Sequence, residues 1–98
     1  MIIVVGSVDG RSESFDDLLK VSLDHVHRSR GEDGCIEHTV QIDCEDPLRL
    51  RFFERCRDAA ALKAHFARSE SRAFVQDVAR LSAKPPVMAI YDAQEKSL

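Results

Sequence analysis

Apolar and polar positions change period several times along the chain, and each change marks an element. Ile2 to Val8 is nearly continuous in apolar residues and ends in the turn-prone Asp9-Gly10, which reads as a first strand. Phe15, Leu18, Leu19, Ser22 and Val26 then recur at helical spacing. Ser14, three residues before Asp17, makes a variant capping box for this helix, and Gly31 and Gly34 are its stop signals. A second strand is expected from about Cys35 to Asp43, a turn at Asp46-Pro47, and a third strand from about Leu48 to Cys56 that returns antiparallel as a hairpin. Asp58 is a good N-cap for a helix through Ala59, Leu62, His65 and Phe66, and a second helical piece from about Ser71 carries Phe74, Val78 and Leu81 on one face. Lys84-Pro85-Pro86 stops that piece, Val87 to Tyr91 forms a last strand, and Gln94 to Leu98 is a charged tail without periodicity.

The order strand, helix, strand, strand, helix, strand predicts an α+β domain over residues 1–93, followed by the tail 94–98. Its expected form is the ferredoxin-like βαββαβ arrangement, an antiparallel sheet with helices on one face. A sheet with one wet face alternates apolar with polar residues, yet Ile2-Ile3-Val4-Val5 and Phe52-Phe53 put apolar side chains on both faces. Too few residues remain for a second layer. The expected cover is therefore the sheet of an identical subunit, closing a two-chain α+β barrel through isologous contacts.

Composition narrows the partners. The chain of 98 residues makes one domain, and its net charge of -3, with 14 basic residues interleaved among 17 acidic ones, supplies no clustered positive patch for nucleic acid. The opening MIIVVGSV is too short to span a bilayer and lacks a basic leader and a small-residue cleavage site, so neither membrane nor export is expected. Cysteines 35, 44 and 56 are odd in number and have no C-x-x-C spacing. They predict neither a disulfide framework nor a zinc site, and they fit a reducing, cytoplasmic setting.

Candidate chemistry gathers where the third strand meets the second helix. His65, on the inward side of that helix, suits a general acid or base, or else a buried histidine bonded to backbone. Ser22 and Ser29 interrupt the apolar stripe of the first helix, with His25 at its edge. Such serines either bond back to carbonyls one turn earlier or leave space for a small-molecule pocket. Arg55 and Arg57 flank Cys56, but alternation turns them to the other face, so Cys56 reads as a small packing residue rather than a thiolate. Glu54, on the face of Phe52 and Cys56, reads as an ion-pair partner ahead of a catalytic group. No metal is expected, because His25-x-His27 diverges on a helix and His38 comes from a distant strand. No G-x-G-x-x-G, P-loop or serine nucleophile elbow occurs.

Gly34-Cys35 entering a strand, Asp46-Pro47, the Phe53-Glu54 pair, Asp58, Ala61-Leu62 and Ala64-His65 together resemble the antibiotic biosynthesis monooxygenase family, which includes small quinol monooxygenases. With the opening and closing strands, the resemblance covers nearly the whole chain. It implies the dimeric α+β barrel fold and a monooxygenase that uses no cofactor, drawing electrons from a quinol or polyketide-type phenol. The chain departs from the family at Cys56, where an aromatic residue, usually Trp, is common, at His38, often Tyr, and at Glu70, near which a second His is frequent. Gly6 and Ser7 stand where an asparagine-like donor is found, and haem breakdown is not expected. The implied pocket lies between sheet and helices, with His65 catalytic and Ser22, His38, Phe52, Glu54, Cys56 and Phe66 against the substrate. Two alternatives are an oxygen-independent isomerase of a small carbonyl metabolite and a non-catalytic, small-molecule-binding dimer.

Overall fold

In the computed structural model, which describes residues 1–98, the chain runs β1 (Ile2–Asp9), α1 (Phe15–Ser29), β2 (Cys35–Asp43), β3 (Asp46–Cys56), α2 (Ala59–Ala67), α3 (Ser69–Leu81) and β4 (Val87–Asp92). The sheet order is β2-β3-β1-β4 and every pair is antiparallel, the ferredoxin-like arrangement expected from the element order. β1 holds the sheet together. It pairs with β3 from Ile2 opposite Cys56 to Asp9 opposite Arg49, and with β4 from Ile2 opposite Asp92 to Ser7 opposite Val87.

Three local details differ from expectation. The hairpin turn is Cys44-Glu45, two residues earlier than Asp46-Pro47: Asp43 Oδ1 accepts from the Glu45 N–H at 2.8 Å, an Asx turn, and Asp46 already pairs with Asp43. Ser14 stands at the N-cap of α1 but makes no capping bond. Its Oγ donates to the Leu81 carbonyl at 3.0 Å, tying the start of α1 to the end of α3. α3 begins at Ser69, after Arg68 adopts an extended backbone that breaks the helical run. Asp58 caps α2 as anticipated, accepting from the Ala61 N–H at 2.8 Å.

Two apolar clusters form the core on the helix-covered face. Ile2, Val4, Cys56, Ala61 and Leu62 pack together at the α2 end, and Val8, Leu18, Leu50, Val78 and Leu81 pack between α1, α3 and the sheet. Alternation along β3 sends Leu50, Phe52, Glu54 and Cys56 to this side, so a carboxylate stands between the two clusters. The other face carries Val5, Val87 and Tyr91 exposed, with the pairs Arg55–Glu37 at 2.6 Å and Arg51–Asp43 at 2.8 Å toward β2. β4 is bare on both sides, since Met88 and Ile90 are exposed as well. No helix is long and apolar enough to cross a membrane.

Gly34, the residue before β2, has φ +84, and a Cβ there would overlap that of Ala61 at the start of α2. Its carbonyl accepts from the Arg57 N–H at 2.8 Å, so this close approach joins the entry of β2 to the β3–α2 junction. Gly34→Ala is expected to cost about 2–4 kcal/mol, from left-handed strain plus steric conflict. Urea denaturation measures this, and a loss below about 0.5 kcal/mol, the range of neutral surface changes, would contradict the packing role.

Candidate functional site

Four elements converge beneath the helices. α1 buries His25 on the same face as Ser22 and Ser29. β2 turns His38 toward the helices, directly across from Glu54 of β3 in the strand register. α2 contributes His65 from its inward side. The three imidazoles form a triangle with ring centroids 5.1, 5.4 and 5.8 Å apart, and one nitrogen from each lies within 4.8 Å of the others. Phe74 of α3 stacks on His25 at 4.0 Å with an interplanar angle of 7°.

In the sequence His25 is weighed only with His27, and His38 stands apart on a distant strand, so spacing alone does not bring these three rings together. His27 is exposed, as divergence on a helix requires, but His25 finds its partners on β2 and α2 instead. Ser29 behaves as helical serines often do, its Oγ donating to the His25 carbonyl at 2.7 Å, whereas the Ser22 hydroxyl is fully buried without a partner.

His65 does not bond to backbone. Its Nδ1 lies 2.7 Å from Glu32 Oε1, a contact in which a ring N–H donates to that carboxylate. Arg68 Nε is 3.4 Å from the second Glu32 oxygen. Glu32 was absent from the sequence-derived candidates, because it sits in the turn after α1, far along the chain from His65. The two oxygens of Glu54 lie 3.8 Å from His65 Nε2 and from His38 Nε2, beyond hydrogen-bonding distance, and no Lys or Arg pairs with this carboxylate. The expected ion pair is thus replaced by two imidazoles. Arg28 donates to His25 Nδ1 at 2.7 Å, and His38 Nδ1 is buried without a partner.

Two spaces adjoin this cluster. A small, partly open niche of about 10 Å³, enough for a single water, is lined in part by Ser29, Cys35, Glu54, Cys56 and His65. A groove of about 290 Å³ runs along α2 between Glu32, Arg57, Ala60, Ala64, His65 and Arg68. The space beside the buried cluster has the size of a water, and the larger space lies over α2. Ser22, His38 and Phe52 line neither space, Glu54 and Cys56 line only the niche, and Phe66 lies on the exposed side of α2. His65 and Glu32 line both.

The family model described as antibiotic biosynthesis monooxygenase matches residues 1–77. The chain belongs to the antibiotic biosynthesis monooxygenase family. The uncharacterized protein sll1783 of Synechocystis sp. (strain ATCC 27184 / PCC 6803 / Kazusa) is 31% identical over 94 residues, an alignment covering 96% of this chain and 64% of that relative, so the chain spans slightly under two thirds of its length. A crystal structure from Deinococcus radiodurans named as an antibiotic biosynthesis monooxygenase superposes with TM-score 0.94 at 21% identity, over 100% of this chain and 97% of the other. Rv0793 from Mycobacterium tuberculosis gives TM-score 0.90 at 20% identity, over 99% and 98%. These structures share the fold.

Within this family member, burial dominates the electrostatics of the cluster. Desolvation, with the electrostatic influence of the neighbouring His65, His38 and Arg28, lowers the His25 pKa to about 3. Desolvation, then His65 and Arg30, lowers that of His38 to about 4. Burial raises the Glu54 pKa, against the opposing pull of His65. Burial and then the Glu54 charge push the Cys56 thiol up to about 12, which rules out a thiolate and agrees with its packing role in the core.

The two depressed histidines make stability pH-dependent. Above their ordinary value of 6.5 neither the folded nor the unfolded chain protonates them, and they contribute nothing. Below it the unfolded chain takes up protons first, so stability falls toward about pH 4 by at most about 1.4 kcal/mol per pH unit for each histidine. Glu54 works in the opposite direction, because the folded state takes its proton first. Unfolding free energies measured across this window are expected to fall with pH, and to fall less steeply in His38→Gln; equal slopes would contradict the assignment.

Proposed function

We propose that this family member is a cytoplasmic homodimer in which the His65–Glu32 pair deprotonates an electron-rich aromatic, a quinol or polyketide-type phenol, for oxidation by dioxygen. The observation that carries the reading is the 2.7 Å contact at the edge of the groove: Glu32 holds the proton on Nδ1 and leaves Nε2 as the base. The substrate ring lies in the groove along Ala60, Ala61 and Ala64, and its hydroxyl proton passes to Nε2, which faces Glu54, through a water in the small space that His65 and Glu32 also line, while Arg57 and Arg68 on the groove wall offset developing negative charge. A deprotonated quinol supplies the electrons itself. One oxygen atom enters the ring, the other leaves as water, and quinol plus dioxygen becomes hydroxyquinone plus water without an added reductant.

The dimer reading is supported by the uncovered β4, whose Val87, Met88, Ile90 and Tyr91 expose apolar surface, and by the neighbouring Val5. The same proton-transfer pair also fits an oxygen-independent isomerisation of a small carbonyl compound, since moving a proton between carbons requires only a positioned base.

Oxygen uptake with hydroquinones is expected to fall by about 10²–10⁴-fold in His65→Ala and to fall, by a smaller factor, in Glu32→Gln. Sedimentation of both variants checks that the dimer persists. Unchanged uptake in His65→Ala would remove that histidine from the reaction, and turnover of a carbonyl substrate under nitrogen would assign the isomerase. A wild-type protein that sediments as a protomer at micromolar concentration would overturn the dimer.

A further inference from the structure

We infer that His25, His38 and His65, together with Glu54, form a binding site for one divalent first-row transition cation. The donor set is three imidazoles and a carboxylate, contributed by α1, β2, α2 and β3 and buried on every side. Such a nitrogen-rich, borderline set selects the zinc class over magnesium or calcium, which take oxygen ligands.

Four observations point to a cation rather than to a self-sufficient polar cluster. The Glu54 oxygens stand 3.8 Å from His38 Nε2 and 3.8 Å from His65 Nε2, a spacing too wide for a hydrogen bond but suited to a shared ion. His38 Nδ1 is buried with no partner that fixes the tautomer, so it can carry the ring proton while Nε2, the nitrogen facing Glu54, offers its lone pair to an ion. Glu32 holds His65 Nδ1 at 2.7 Å, the carboxylate–histidine support that orients a metal-ligating imidazole. The partly open niche of about 10 Å³ is lined by Glu54 and His65, so space for a small ion exists beside two of the donors.

In a tetrahedral site with bonds of about 2.0–2.1 Å the donors stand about 3.3 Å apart, so nitrogens now within 4.8 Å close in by about 1 Å each. His25 enters at the expense of its Arg28 hydrogen bond, and that half-buried guanidinium turns to solvent. His65 and Glu32 line both niche and groove, which gives the ion a short route inward. The ion occupies the His65 lone pair that the oxygenase reading uses as a base. Binding is therefore measured without substrate, and the two readings fail separately.

The test is titration of chelator-stripped protein with Zn²⁺ by calorimetry, with elemental analysis for stoichiometry and Co²⁺ as a spectroscopic substitute. One ion per protomer at micromolar free zinc is expected, with the visible bands of tetrahedral Co²⁺. His38→Gln and His65→Gln are expected to lose more than about 100-fold in affinity, and Glu32→Gln about 10–100-fold, as for loss of a supporting partner. His27→Ala and Cys44→Ser, at exposed positions, leave binding unchanged. Should a cluster variant fail to fold, ¹⁵N spectra of the wild-type histidine rings decide: zinc shifts His25, His38 and His65 and spares His27. No binding at micromolar zinc, binding that survives both cluster substitutions, or a shift confined to His27 would overturn the site.

Discussion

The desolvation of Glu54 and of the three imidazoles clustered beside it is the constraint around which this domain is organised. Burying polar groups without full hydrogen-bonding costs free energy that apolar packing must offset, and the two apolar clusters flank the polar one on the same face of the sheet. The pairing of β1 with β3 holds Glu54 in line with Val4, and the pairing of β3 with β2 brings His38 opposite. Removing either pairing would disperse the cluster. The cluster thus sits where β2, β3 and β1 pair, with its surface access beside α2.

The division of space follows from the same packing. Cys56 is absorbed into the α2-end cluster with Ile2, Val4, Ala61 and Leu62. The niche beside it has the size of a water, while the larger groove lies over the small alanines of α2. His65 belongs to both spaces and faces two chemical environments: one of carboxylates and imidazoles, the other of solvent and two arginines. A single side chain thus links the proposed proton transfer with the proposed cation site, and occupation of one excludes use of the other.

The sheet's far face sets a second requirement. Exposed Val5, Val87 and Tyr91 continue into a β4 uncovered on either side, whereas the β2 edge is held by arginine–carboxylate pairs. An apolar patch with a charged border is the usual form of a surface awaiting a partner.

Much of the fold was legible in the residue pattern, because strand and helix periods are local. Asp58 as a cap, the limits of β2 and the βαββαβ order all followed from short-range chemistry. The misplaced hairpin turn and the Ser14 side chain show the limit: Asp43 outcompeted Asp46-Pro47, and the Leu81 carbonyl, from the other end of the chain, outcompeted a local cap. Within the site, the burial of His65 and the shared face of Phe52, Glu54 and Cys56 were readable from alternation and helical spacing. Only tertiary structure decided that Glu32 binds His65, that His25 and His38 join it, and that the larger space lies over α2, because those outcomes depend on distances between residues that no sequence period relates.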